Sequence, residues 1–216
     1  MGINIAIDGP AGAGKSTIAK KVAKELSFIY VDTGAMYRAM ALYLLEKGIS
    51  GDEKISEACH DADISIRYEN GEQQVILNGK NVTAFLRKEE VGNMASVSSA
   101  NPEVRAHLLK LQRNLAAENN VVMDGRDIGT NILPNADVKI YLTASVKTRA
   151  DRRYKELTEK GISCSYEEIA EDIKKRDERD MSRETAPLKQ AEDAILIDSS
   201  DMSIEEVVHA ICRQCK

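Results

Sequence analysis

Apolar residues change their spacing repeatedly along the chain, from the period of a strand to that of a helix. Ile3, Ile5 and Ile7 predict a buried strand, and the apolar positions at 19–26 then recur at helical spacing. The same alternation predicts a helix at 37–47 and four further strands, at 28–31, 121–123, 138–142 and 194–197. Five strands interleaved with helices favour an α/β fold with a doubly wound, five-stranded parallel sheet flanked by helices.

One stretch, at about 63–90, shows only the two-residue alternation of apolar and polar positions that is typical of strands. Apolar and polar residues alternate over 64–68 and again over 75–77, and Asn-Gly pairs follow at 70–71 and 78–79. Asn-Gly between alternating segments is a strong hairpin signal, because both residues adopt the positive φ of a tight turn. We therefore predict a small antiparallel β insert at about 63–90 within a single domain spanning 1–216.

The composition is that of a globular protein with an acidic surface. The 216 residues are 43% hydrophobic, and the net charge of −5 argues against general affinity for nucleic acid. No apolar run is long enough for a membrane span and no signal segment is evident, so we expect a cytoplasmic protein without a membrane partner. No heptad pattern indicates dimerisation, and a monomer is expected.

The cysteines carry no clear chemistry. Cys212 and Cys215 form a C-x-x-C near the end of a predicted helix, without the second ligand pair of a zinc site or the helix N-terminus of a redox motif. We interpret the pair as inert thiols.

The strongest motif lies between the first strand and the first helix. Residues 9–16 match G-x-x-x-x-G-K-[ST], the loop whose backbone N–H groups bind nucleotide phosphates, and a ligand-free glycine turn is the weaker alternative. Lys15 is expected to reach the β- and γ-phosphates and Ser16 to ligate Mg²⁺. The predicted nucleotide-binding residues are Gly9, Pro10, Ala11, Gly12, Ala13, Gly14, Lys15, Ser16 and Thr17.

Two polar segments follow other strands. Arg38, within 32–38, is suited to hold an acceptor phosphate, although a solvated surface arginine explains this segment equally well. Asp124 follows the strand at 121–123, where a Mg²⁺-facing carboxylate of a phosphate-binding-loop protein is expected; a surface turn is the alternative. No guanine-reading N/T-K-x-D segment is present, so a small phosphotransferase is favoured over a signalling GTPase.

A helix is predicted to begin at Tyr166, and along one of its faces apolar residues are followed by charged residues in a single stripe. Ile169 and Ile173 begin the stripe, and it continues through the charged residues Arg176, Asp180 and Arg183. We favour a helix face turned toward a polar cleft over a solvated ion-pair face.

These segments together resemble the bacterial cytidylate kinases nearly end to end. The strings that carry the resemblance are IDGPAGAGKST at 7–17, DTGAMYRA at 32–39, DGRDIGT at 124–130 and RDERDMSRETAPL at 176–188. The resemblance implies a P-loop nucleoside monophosphate kinase fold with a lid at about 149–165 and an acceptor-binding insert at 63–90. It also implies transfer of the γ-phosphoryl group of ATP to CMP or dCMP with Mg²⁺, the nucleotides being small-molecule partners.

The resemblance further implies a role for individual residues. Those that hold the acceptor and its phosphate would be Thr33, Tyr37, Arg38 and Arg126. The residues that read cytosine would be Ser96, Arg105 and Asp127. The residues that contact the ribose would be Arg176 and Asp180. Those that neutralise the transferring group would be Lys15, Arg126, Arg149, Arg153 and Arg183. Asp124 would serve the substrate side and, with Ser16, the metal, directly or through water.

Two alternatives remain open at this point. Another small P-loop kinase would use a different monophosphate or a metabolite as acceptor. A non-catalytic nucleotide-binding regulator would carry the loop as a sensor and would have no need of a second phosphate site.

Overall fold

The computed structural model describes residues 2–215, which contain the predicted strands in their predicted order. The strands are β1 Asn4–Asp8, β2 Ile29–Asp32, β3 Ile64–Glu69, β4 Glu72–Leu77, β5 Lys80–Asn81, β6 Val121–Gly125, β7 Val138–Thr143 and β8 Ile195–Asp198. The helices are α1 Lys15–Leu26, α2 Thr33–Glu46, α3 Asp52–Ala58, α4 Glu89–Ser98, α5 Pro102–Glu118, α6 Val146–Glu159, α7 Tyr166–Ser182 and α8 Ile204–Cys212.

The strands form two sheets. Five strands lie in the order β2-β6-β1-β7-β8, with β7 parallel to both β1 and β8, and β3, β4 and β5 form a separate antiparallel sheet. The predicted α/β class, the five-stranded parallel sheet and the antiparallel insert are thereby confirmed. Ile5, Ala6 and Ile7 of β1 are wholly buried, as the apolar pattern required.

The described chain divides into two compact units. One comprises Gly2 and residues 29–121, with β2, the small sheet and helices α2 to α5, and the other comprises residues 3–28 and 122–215, with the P-loop motif and helices α1 and α6 to α8. Among residues 2–215, no helix combines the length and apolar character needed to cross a membrane.

Side-chain caps determine where helices of the first unit begin. The Asp32 side chain accepts a hydrogen bond from the backbone N–H of Ala35, so α2 begins at Thr33, four residues before the predicted start. Asn101 caps α5 by accepting from the backbone N–H groups of Glu103 and Val104. The helices α3, α4 and α5 lie where the sequence analysis assigned no individual helix.

The second unit contains the C-x-x-C pair at the end of α8. Burial raises the pKa of the Cys212 thiol to about 11, and burial also raises the pKa of Cys215. Because the thiolate is the reactive form of cysteine, this environment supports the interpretation of the pair as inert.

Candidate active site

The phosphate-binding loop leaves the carboxyl end of β1 and leads into α1. Gly9 has φ 149°, and a Cβ atom there would lie 1.9 Å from the carbonyl oxygen of Leu142. Gly14 adopts a left-handed conformation immediately before the helix. Gly9 leaves no room for a side chain, and Gly14 has a positive φ that glycine adopts at the lowest cost, so the path of the loop accounts for both glycines of the motif.

Lys15 lies at the first position of α1 and is 5% exposed. Its Nζ donates a 2.7 Å hydrogen bond to the carbonyl oxygen of Pro10, across the loop. Burial holds the pKa of Lys15 well below its ordinary value, and the nearby Arg126 lowers it further, whereas Asp124 and Asp8 oppose the change. Burial in the ligand-free site therefore disfavours the charged form of Lys15, and an anionic phosphate placed there would stabilise the ammonium strongly.

Ser16 and Asp124 meet beside the loop. The Ser16 hydroxyl donates to a carboxylate oxygen of Asp124 at 3.0 Å, and Asp124 is buried at the end of β6. Within residues 2–215, no group of three or more histidine, cysteine or acidic side chains is arranged to hold a metal ion. A hydroxyl and one carboxylate nevertheless fit Mg²⁺, which takes oxygen ligands and commonly has one or two from the protein, with the rest from phosphates and water.

Asp8 is a site residue that the sequence analysis did not identify. Its carboxylate accepts hydrogen bonds from the backbone N–H groups of Ile128 at 2.8 Å and Gly129 at 2.7 Å, and it lies buried at the end of β1. It thereby holds the turn that follows Arg126 and Asp127. An acidic residue at the end of a buried strand was the signal that pointed to Asp124, and the same signal was present at Asp8.

Asp8 makes the stability of the protein depend on pH. Burial raises its pKa to about 6 from 3.8, against the lowering effect of the two backbone hydrogen bonds. Its protonated form therefore stabilises the fold below about pH 4, and this stabilisation is lost as the pH rises through about 6. The quantity to compare is the free energy of unfolding of wild type minus that of Asp8→Asn. We expect this difference to fall by about 2 kcal/mol between pH 4 and pH 7. Denaturant titrations at several pH values measure the difference, and a difference that rises with pH would contradict the assignment.

Helix α7 brings charged residues to the segment after β6. Arg126 Nε donates to Asp180 at 2.8 Å, and Arg183 Nη2 lies 3.6 Å from a carboxylate oxygen of Asp127. Asp127 also accepts from the Asn131 side chain at 3.0 Å. The charged stripe of α7 therefore faces the Asp124–Asp127 segment, as the polar-cleft interpretation expected.

The two arginines assigned to the lid differ in their surroundings. Arg149 is 3% exposed and forms a bidentate ion pair with Asp177 of α7. Arg153 has a half-exposed side chain that donates to Glu156 on α6 at 2.8 Å. The structure places Arg149 beside the phosphate-binding loop and Arg153 on the solvent side of its helix. Asp177, missed in the sequence analysis, follows Ile173 by one helical turn and belongs to the same stripe.

The first unit has its own polar cluster at the start of α2. A Cβ atom on Gly34 would lie 3.1 Å from a carboxylate oxygen of Asp32 and 3.4 Å from Nη1 of Arg38, so the guanidinium lies over the first turn. Arg105 is buried and lies over the Tyr37 ring at 5.4 Å, a cation–π arrangement. Thr33 is buried in the same turn, and Ser96 is half-buried on α4.

The insert fixes the backbone from which this cluster starts. The Gln73 side chain of β4 accepts from the Asp32 N–H at 2.8 Å and donates to the Asp32 carbonyl at 3.1 Å, so one amide satisfies both backbone groups. Tyr68 of β3 donates its hydroxyl to the Tyr30 carbonyl at 3.0 Å. The small sheet therefore supports the end of β2.

A family model and the sequence relatives of this chain indicate one family. Residues 5–216 match the family model described as cytidylate kinase. Cytidylate kinase of Caldicellulosiruptor bescii is 53% identical over 97% of this chain and 93% of its own length, and that of Bacillus subtilis is 47% identical over 97% and 94%. Among solved structures, an uncharacterized protein from Eubacterium ventriosum superposes with a TM-score of 0.51 at 15% identity, covering 99% of this chain and 97% of the other. This last likeness shows a shared fold alone.

Proposed function

The chain belongs to the cytidylate kinase family, and we propose that it uses the residues described above to transfer the γ-phosphoryl group of ATP to CMP or dCMP. The products are ADP and CDP or dCDP. The observation that supports this assignment most directly is the complete phosphate-binding loop with Lys15 buried within it and Ser16 bonded to Asp124. The loop binds the donor, and the family identifies the acceptor.

On the donor side, the backbone N–H groups of residues 9–14 and the N-terminus of α1 would bind the phosphates of ATP. Lys15 would exchange its hydrogen bond with the Pro10 carbonyl for a contact with the β- and γ-phosphate oxygens. Because the ammonium is already desolvated, little reorganisation is needed when charge develops in the transition state.

Ser16 and Asp124 would hold Mg²⁺, Ser16 directly and Asp124 directly or through water. When bound, the ion would supply neutralisation of the negative charge on the phosphates. The all-oxygen character of the pair is what supports this assignment.

On the acceptor side, we assign the CMP phosphate to Thr33, Tyr37, Arg38 and Arg126. Cytosine would be read by Ser96, Arg105 and Asp127, and ribose would contact Arg176 and Asp180. A carboxylate suits cytosine, whose N4 amine is a donor, whereas uracil would present an acceptor to it.

Phosphoryl transfer requires chiefly positioning and charge stabilisation, and we assign no general base because the acceptor phosphate is already anionic. The positive charge at the transferring group would come from Lys15, Arg126, Arg149, Arg153 and Arg183. Closure of the segment at about 149–165 would bring Arg153 in from its exposed position and exclude water. The cytoplasmic location, the monomeric state and the lack of nucleic acid or membrane partners stay predictions.

An acceptor panel tests the function. With ATP and Mg²⁺, we expect CMP and dCMP to be phosphorylated with a kcat/KM at least tenfold above that for UMP, because rejection of uracil by a buried carboxylate costs on the order of 1–3 kcal/mol. AMP and shikimate are expected to be poorer still. Activity confined to a non-pyrimidine acceptor would favour another small kinase, and ATP binding without binding of any monophosphate would favour a regulator.

A further inference from the structure

Arg149 connects three parts of the second unit through one guanidinium. Its Nε donates to the carbonyl oxygen of Ala144 at 2.9 Å, and its Nη1 donates to that of Ala11 at 2.9 Å. The two Nη atoms also donate to the two carboxylate oxygens of Asp177, at 3.0 and 2.5 Å. One side chain therefore joins the end of β7, the phosphate-binding loop and α7.

The stem of Arg149 also lies close to the loop. A Cβ atom placed on Gly12 would lie 3.4 Å from Cβ, 3.7 Å from Cγ and 3.8 Å from Cδ of Arg149. The residue thus lies against two consecutive loop positions, donating a hydrogen bond to Ala11 and leaving little room for a side chain at Gly12. Both belong to the backbone whose N–H groups face the nucleotide phosphates.

Asp177 determines where this guanidinium lies. Arg149 and Asp177 are both buried, and a buried arginine without its counter-charge is strongly destabilised. A bidentate carboxylate also fixes the plane of the fork, since two parallel hydrogen bonds allow one orientation. If Asp177 were neutral, the guanidinium would turn toward water and the Ala11 carbonyl would lose its donor.

We propose that Asp177 is a positioning residue for the ATP site, acting through Arg149 on Ala11 and Gly12 of the phosphate-binding loop. This inference rests on the proposed function, which assigns the loop to ATP. Asp177 does not contact the nucleotide in this proposal. It holds the loop in the shape that binds phosphate, and small displacements of such a backbone have large effects on affinity.

Asp177→Asn tests the proposal. We expect the dissociation constant for ATP, measured by titration without acceptor, and the KM for ATP to rise at least tenfold, while the KM for CMP changes less than about twofold. Glu171→Gln is the matched control, since it removes one carboxylate from an exposed ion pair with Lys175 on the same helix. The control is expected to behave as wild type, and an equal loss of ATP affinity in both variants overturns the proposal.

A second variant covers the case in which Asp177→Asn fails to fold. Arg149→Met with Asp177→Met removes both buried charges and retains apolar volume, an exchange that proteins often tolerate. We expect this folded variant to lose ATP affinity at least tenfold while its melting temperature stays near that of wild type.

The outcomes separate this inference from the proposed function. Wild-type ATP affinity in either variant, or an equal rise in the KM values for ATP and CMP, overturns the role of Asp177. A wild-type protein that binds ATP and does not phosphorylate CMP instead overturns the proposed function, because the titration contains no acceptor.

Discussion

Lys15→Ala is expected to lower the rate of phosphoryl transfer at least about a thousandfold, corresponding to about 4 kcal/mol of transition-state stabilisation. The affinity for CMP is expected to stay within about twofold of wild type, because Lys15 belongs to the loop assigned to the donor. Single-turnover kinetics give the rate of the chemical step, and a CMP titration without ATP gives the affinity.

The large effect follows from the surroundings of the ammonium group. Lys15 is buried, its Nζ is held 2.7 Å from the Pro10 carbonyl, and its pKa is depressed by burial and by Arg126. Burial therefore disfavours the charged form of Lys15 in the ligand-free protein, and an anionic phosphate would stabilise the ammonium. Removing the cation is expected to raise the melting temperature or leave it unchanged, so lost activity would not reflect unfolding.

Lys21→Ala supplies the control for this prediction. Lys21 lies on the same helix, and its exposed ammonium pairs with Glu205 at 3.4 Å. We expect its activity and melting temperature to match wild type, since exposed ion pairs contribute little. A fall of only about twofold in the rate of Lys15→Ala would contradict the placement of Lys15 in the reaction.

The strands and the phosphate-binding loop were predictable because their signals are local. The spacing of apolar residues along the chain identifies a buried strand such as β1. The fixed glycines and Lys15 of the loop lie close together in the sequence, so the motif can be recognised directly. The Asn-Gly turns likewise predicted the small sheet. The start of α2 was placed too late because the apolar period begins after its first turn, whereas the cap from Asp32 determines where the helix starts.

Contacts distant in sequence were not predictable in the same way. Asp177 meets Arg149 across 28 residues, and Asp8 meets Gly129 across 121. The spacing of polar residues along a helix or strand indicates that such residues face inward. It does not indicate which residues they contact. Gln73 lies on β4, where the alternation of apolar and polar residues predicted only that some side chains are polar. Its hydrogen bonds with Asp32 depend on how the insert packs against the end of β2. The site therefore had recognisable parts, while the contacts that hold them needed the structure.

Arg38 is the second residue whose loss should be severe. It lies over the first turn of α2, where the helix N-terminus favours an anion and Asp32 fixes the turn by capping it. A guanidinium presents a planar fork that matches phosphate oxygens, and hydrogen bonds between charged groups are worth about 1.5–3 kcal/mol each. Because the acceptor phosphate is also the nucleophile, its misplacement affects both binding and reaction.

Arg38→Met is expected to lower kcat/KM for CMP at least about a hundredfold, or about 3 kcal/mol, with a raised KM and a lowered kcat. Methionine retains much of the apolar stem and removes the fork, so the packing of α2 is preserved. The ATP dissociation constant is expected to stay within about twofold. Arg67→Met, at an exposed arginine of β3 in the same unit, is the control and should match wild type. Separate titrations of ATP and CMP decide the matter: equal weakening of both would mean that Arg38 supports the fold through Asp32 and does not hold the acceptor.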